Sequence, residues 1–381
     1  MITFNKLQEK TQNEERRTQN AVFSSNCIRL STIEWIFVAL AALMILSLTP
    51  VIWERVEKFE PGTDFRLPYE SGNDYWQYNR YCRWEASRQD ISVIGDSVIW
   101  GHYVSKDNTL SHYLNELTPD TQFANLGLDG IHPAAMEGLL RYYGKNITHQ
   151  NVILHFNPLW ISSPKQDLQG EKEFVFNHPD LVAQFFPRIP CYKASFSKRI
   201  AAVLRRTITL PNWVSHINIT YFQSMSMPAW TLENPYRNPL SAVTFKLPGT
   251  DNYEQWEKSH QPKNISTDGY QWVMPDESLQ WRCFLHTIQL LRERKNNVFV
   301  LVGPFNEHTL GQTNLVAYQT LKRQIELALN ANNVNYYMPP VLPAEYYIDA
   351  SHPTNEGYAL LARQLTINES FKSFILNAGQ N

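Results

Sequence analysis

Short, β-rich apolar runs recur along the chain from residue 91 onward: ISVIG (91–95), FANLGL (123–128), NVILHF (151–156), NVFVLVG (297–303) and VNYYM (334–338). Between them TLSHYLNEL, AAMEGLLRYYG, LQWRCFLHTIQLLRER, LVAYQTLKRQIELALN and EGYALLARQL place their apolar residues at helical spacing. Strands that alternate with helices in this way predict an α/β fold with a mostly parallel five-stranded sheet covered on both faces. In such sheets ligands bind at the carboxyl ends of the strands, so the loops after each run are where chemistry is expected.

The alternation is preceded by a different pattern. From Trp35 to Trp53 the chain reads WIFVALAALMILSLTPVIW without a charge, and a helix of that length crosses roughly 30 Å of hydrocarbon. The expectation is a retained transmembrane helix over 35–53, following a cytoplasmic tail over 1–34. Lys6, Lys10, Arg16, Arg17 and Arg29 precede the span and Arg55, Lys58 and Arg66 follow it, so the charge bias is weak. A cytoplasmic N-terminus with the large domain exported to the periplasmic or cell-surface side is the simpler arrangement. Residues 54–73, with Pro61, Gly62, Pro68 and Gly72, read as a linker. Tyr75, Tyr78, Tyr81, Cys82 and Glu85 then fall at helical spacing and predict an amphipathic helix opening a domain over 74–381. Residues 161–277 break the alternation and read as a large insertion after the third strand, serving as a lid, a second domain or a docking surface. Within it Lys198, Arg199, Arg205 and Arg206 line one side of a helical pattern, expected as a solvated face, with contact to a membrane surface as the alternative.

Composition narrows the function classes. The 381 residues carry 34 Lys+Arg against 36 Asp+Glu, a net charge of −2, which leaves no electrostatic footprint for nucleic acid. Cys27, Cys82, Cys191 and Cys283 are scattered without zinc-ligand spacing, so no metal is expected. In an oxidising compartment the last three allow one disulfide, with the pair left open.

The candidate chemistry lies at the two ends of the alternation. Gly95-Asp96-Ser97 ends the first strand, where a hydroxyl at the strand tip meets substrate. Asp349 and His352, in IDASHPTNEGY, lie just before the last helical pattern. His352 can take the Ser97 proton while Asp349 fixes the imidazole, the division of labour of a serine hydrolase triad. GDS after the first strand together with D-x-x-H-P-x-x-x-G-Y before the last helix resembles the first and fifth blocks of the SGNH hydrolases, also called GDSL esterases and lipases.

That resemblance implies a three-layer, flavodoxin-like α/β/α fold, ester chemistry through a Ser97 acyl-enzyme, and no cofactor. It also implies an oxyanion hole from the Ser97 N–H, a glycine N–H after the second strand and an asparagine after the third. Gly130 in NLGLDGIHP matches the glycine, with Gly127 as the close alternative, and Asn157 matches the asparagine. The third block departs from the family, since Gly-x-Asn-Asp is replaced by His155-Phe156-Asn157-Pro158. Membrane-tethered relatives of this architecture resemble the SGNH-type proteins that act on exported polysaccharides. The implied partners are an acylated glycan or lipid substrate, the lipid bilayer and a membrane acyltransferase. Trp100, His102 and His132 lie beyond the loops of the first two strands and are candidates for lining the pocket, with a core position as the equal alternative for Trp100; His308 after the fourth strand is expected as a satisfied loop histidine, with reach to the same face as the alternative. The rival expectation is a non-catalytic accessory protein that binds a glycan or a membrane enzyme.

Overall fold

A computed structural model describes residues 30–247 and 269–378. Two compact units divide between Trp53 and Glu54. The first is built on one helix, α1 (Thr32–Val56), which is long and apolar enough to cross a membrane. Its start is written in Ser31-x-x-Glu34: the Ser31 amide donates to Glu34 Oε2 at 2.7 Å and the Glu34 amide to Ser31 Oγ at 3.4 Å, a reciprocal cap. The expected tail, with Lys6, Lys10, Arg16, Arg17, Arg29 and Cys27, lies outside the described residues apart from its last few positions.

The second unit begins with α2 (Tyr75–Arg88), β1 (Ile91–Ile94), α3 (Ser97–Trp100), α4 (Leu110–Leu117), β2 (Phe123–Asn125), α5 (Pro133–Tyr142) and β3 (Asn151–Phe156). An insertion follows with α6 (Phe196–Thr207), α7 (Thr209–Tyr221), α8 (Met227–Glu233) and α9 (Pro239–Ala242). It returns through α10 (Leu279–Glu293), β4 (Asn297–Val302), α11 (Gln312–Ala331), β5 (Asn335–Tyr337), α12 (Asn355–Ile367) and α13 (Glu369–Ala378). The five strands form one all-parallel sheet in the order β2-β1-β3-β4-β5.

Strand alternation divides the core in two. Val152, Leu154 and Phe156 of β3 and Val298, Val300 and Val302 of β4 face a core shared with α2, α5, α10 and α11. Ile153, Phe299 and Leu301 face the other, built with α4, α12 and α13. The sheet is therefore covered on both sides, and its loops are left to the edges.

Residues 54–73 depart from the expected linker. Glu57, Phe65, Arg66, Leu67 and Pro68 are buried, and the Arg66 guanidinium donates to the carbonyls of Trp100, Gly101 and Val104 at 2.7–2.9 Å. A segment that reads as polar and turn-rich is thus folded against the loop after α3. Cys82, Cys191 and Cys283 are all free thiols, so the disulfide that the sequence allows is not formed among them.

The insertion is part of the body as well. Leu168, Leu181, Val182, Ile189 and Cys191 join the core on the α5 side, while Phe222 and Trp230 pack edge-on at 5.5 Å. The basic residues of α6 are mostly engaged within the unit. Arg199 donates to the carbonyls of Gln184, Tyr192 and Ala194, Arg205 pairs with Asp180 at 2.6 Å, and Arg206 donates to the Val182 carbonyl at 3.0 Å. Trp256, one of the insertion tryptophans, lies outside the described residues.

Candidate active site

Because β1 lies between β2 and β3, the loops leaving the carboxyl ends of these three strands are neighbours. β1 ends at Ile94, and Asp96 caps α3 by accepting the Val98 amide on its side chain at 3.0 Å, which makes Ser97 the first residue of a one-turn helix. Gly127, in the β2 loop, packs on that turn so closely that a Cβ there would lie 2.4 Å from the Trp100 amide nitrogen.

The third component arrives from the far edge of the sheet. Asp349 Oδ1 accepts the amides of Ser351 and His352, both at 2.9 Å, and the Ile348 amide bonds the His352 carbonyl at 2.8 Å. This tight turn explains the D-x-x-H spacing: the carboxylate that organises the loop also receives the imidazole. His352 Nδ1 lies 2.8 Å from both Asp349 oxygens, and its Nε2 lies 2.8 Å from Ser97 Oγ. From α12, Tyr358 Oη donates to the Val98 carbonyl at 2.7 Å and so ties the helix after His352 to the turn that carries Ser97.

Burial acts first on both charges of this chain. It pushes the Asp349 carboxyl up, but the hydrogen bond and charge of His352 and the two turn amides bring it below the ordinary carboxylate range. Burial also disfavours the His352 cation, yet Asp349, with Asp96 and Asp129 further off, raises the imidazole above its ordinary value. Ser97 and His352 are each only 9% exposed, so the pair is shielded while still reachable.

Asn157 follows β3 directly. Its Oδ1 accepts the Leu159 amide at 3.0 Å, which turns Nδ2 towards Asp96 Oδ2 at 2.9 Å. A primary amide has two hydrogens, so one remains for a substrate oxygen. The Gly127 amide is held by Asn125 Oδ1 at 3.0 Å, whereas among the described residues the Ser97 and Gly130 amides donate to no protein acceptor. Gly130 adopts φ +70°, the left-handed region that suits glycine, and insertion residues brace its turn: His178 Nε2 lies 3.0 Å from the Asp129 carbonyl, and Asn177 donates to the Gly130 carbonyl at 3.4 Å.

Sequence reasoning missed the residue that joins these loops. Asp96 also accepts Trp160 Nε1 at 2.8 Å and lies 3.2 Å from His155 Nδ1, while His155 Nε2 faces the Gly303 carbonyl at 3.0 Å. Burial raises the Asp96 carboxyl, and the charge and hydrogen bond of His155, with the Val98 and Asn157 donors, bring it below its ordinary range. The available signals were an aspartate at the cap position before Ser97 and a histidine inside an otherwise apolar strand. His155 lies on β3 two residues before Asn157, and its imidazole is the ring beside the buried Asp96 carboxylate.

The remaining candidates separate. Trp100 is core: it is 1% exposed and donates to the Leu67 carbonyl at 2.7 Å. His132 precedes α5 and is buried, and burial together with the charge of His178 lowers it to about 4. His308 Nε2 is bonded to the Leu342 carbonyl at 2.9 Å. His102, by contrast, lies at the site, with its ring 5.3 Å from that of His352. Among the described residues one group has metal-ligand character, Asp64, Asp107 and His112, whose ligand atoms lie within 4.8 Å of one another. Those atoms already have partners, since His112 Nδ1 bonds Asp64 at 2.8 Å and Lys106 bonds Asp107 at 2.6 Å.

Chemically, the arrangement offers a shielded hydroxyl with a base in contact, a carboxylate orienting that base, and amide donors on adjacent loops. The chain matches no protein-family model, and no curated protein matches it.

Proposed function

We propose that this chain is a membrane-anchored, SGNH-type serine esterase or O-acyltransferase acting on an acylated cell-envelope component outside the cytoplasm. The observation that carries the reading is the continuous contact from Ser97 Oγ through His352 to Asp349, with both links at 2.8 Å. In this mechanism His352 Nε2 takes the Ser97 proton as Oγ attacks the ester carbonyl. The Ser97 and Gly130 amides and the second Asn157 hydrogen receive the oxyanion. The proton then passes to the leaving alkoxide, and water or an acceptor hydroxyl releases the acyl group with His352 again as base. The apolar helix α1 supports the anchoring, and the large unit after it supports a domain exported as a whole.

A second reading, a non-catalytic accessory protein binding a glycan or a membrane acyltransferase, draws on one observation: the Asn157 amide is already engaged by Asp96. Labelling of the detergent-solubilised full chain with a fluorophosphonate probe separates the two. Labelling that is lost in Ser97→Ala is the expected result. Absence of labelling in the native chain favours the accessory role.

A further inference from the structure

We propose that the exposed apolar side of α6, in the insertion, rests on a lipid surface with acidic headgroups, a second attachment to the bilayer besides α1. The inference goes beyond the ester chemistry and rests only on the reading of α1 as a membrane span. A helix on the surface of a globular unit ordinarily turns its apolar side to the core and its charges to water. α6 turns its largest apolar residues outward. Arg199, Arg205 and Arg206 are engaged within the unit, on the carbonyls of Gln184, Tyr192, Ala194 and Val182 and on the Asp180 carboxylate. The Arg199 and Arg206 guanidiniums also stack on Tyr192 and Tyr142, each at 4.5 Å. Phe196, Ile200 and Leu204, spaced at i, i+4 and i+8, and Ile208 at the end of the helix are exposed.

The patch extends past the helix. The Phe185 ring lies 6.0 Å from that of Phe196, and Phe186 and Phe196 are 91% and 72% exposed. Residues 181–210 hold six Lys+Arg and no Asp or Glu, in a chain whose overall charge is −2. Three of the six, Arg188, Lys193 and Lys198, are exposed, and among the described residues their charged groups have no hydrogen-bond or ion-pair partner. Unpaired cations around exposed aromatic and branched apolar residues match an acidic bilayer surface. Rings and methyl groups enter the acyl boundary there, while Lys and Arg reach the headgroups.

The entry point of the chain favours a bilayer over other occupants. Ile208 also opens α7, and His216, about 12 Å further along that helix, lies 3.0 Å from Glu57. Glu57 follows Trp53, the last residue of the apolar run, by four positions, a reach of at most about 14 Å. The chain that leaves the span therefore enters the larger unit beside α7, with no spacer to hold the exposed stripe away from lipid.

The test reconstitutes the full chain, one copy per lipid nanodisc, with a diazirine-bearing phospholipid, and maps the photo-adducts by mass spectrometry of its peptides. One copy per disc keeps a second chain from covering α6. Discs of phosphatidylcholine with phosphatidylglycerol are compared with discs of phosphatidylcholine alone. The expected result is adducts on α1 and on peptides from 185–208. Yields on the latter should be at least about fivefold above those on α11, whose Val316 and Leu327 are also exposed, and should fall about fivefold without the acidic lipid. Ile200→Glu combined with Leu204→Glu, at two exposed positions, should remove the excess on α6 and leave the adducts on α1. Adducts on α1 alone overturn the proposal, as do equal yields on α6 and α11, equal yields in the two kinds of disc, or an excess on α6 that survives the double substitution. Adducts absent from α1 and α6 alike remove the anchoring reading, and the proposal with it.

Discussion

At the scale of residues, the triad makes a signed pH prediction. His352 acts as a base only when neutral, and its proton affinity is raised despite burial because Asp349 outweighs the desolvation. Hydrolysis of p-nitrophenyl acetate should therefore fall as pH drops through a midpoint above the ordinary histidine value of about 6.5. The stability contributed by the same ion pair runs the other way: it is present below the unfolded value and fades as pH rises through the folded one. A rate midpoint below 6.5 would show that desolvation wins. Asn157 makes the second prediction at this scale. Asn157→Ala should lower kcat by roughly 10²–10³ with little change in KM, because the amide acts on charge that develops in the transition state. A near-native rate would mean that Asp96 holds both amide hydrogens away from the substrate. The nearness of Ser97, Asp349, His352 and Asn157 was legible because each lies in a short motif between a strand and a helix. Asp96 with His155, and His102 with Asp129, were not legible as pairs. Each joins a residue near Ser97 to another loop, and no local spacing encodes that contact.

At the scale of elements, the five strands and their flanking helices follow from apolar periodicity, because both faces of the sheet must be covered. The segment 54–73 does not, since its order comes from distant carbonyls that accept from Arg66 and from the buried charges around Glu57. His216 of α7 lies between Asp74 Oδ2 at 2.6 Å and Glu57 Oε1 at 3.0 Å, and Arg80 also pairs with Glu57. Burial works against the His216 cation, but Asp74 and Glu57 raise its value to about 9. The cluster should thus hold the unit together below about pH 6.5 and lose its contribution as pH rises towards 9. Glu57→Ala leaves two buried cations short of a partner and should cost about 3–5 kcal/mol. Thermal melting of the full chain between pH 6 and pH 9.5 checks both points, and a melting temperature insensitive to pH and to the substitution would contradict them. The insertion offers a sharper case at Gly138. Glycine to alanine inside a helix ordinarily stabilises by about 1 kcal/mol, but a Cβ here would lie 1.9 Å from the Leu181 carbonyl oxygen. Gly138→Ala should therefore lower the melting temperature, and a rise would show that the insertion can move away from α5 without loss.

For the whole molecule, the insertion of the larger unit is braced against the loop that carries Gly130. Asn177 and His178 bond the Asp129–Gly130 turn, so part of the insertion supports a loop of the site. That support could not be read from the sequence, because the insertion has no periodicity linking it to the β2 loop. The central claim is that Ser97 forms an acyl-enzyme, and mass spectrometry after a rapid acid quench of the full chain with p-nitrophenyl acetate tests it most directly. The account predicts one acetyl group on the peptide containing Ser97, absent in Ser97→Ala and strongly diminished in His352→Ala. An unmodified Ser97 peptide in the native chain, or an acetyl group that persists in His352→Ala at the native rate, would contradict it.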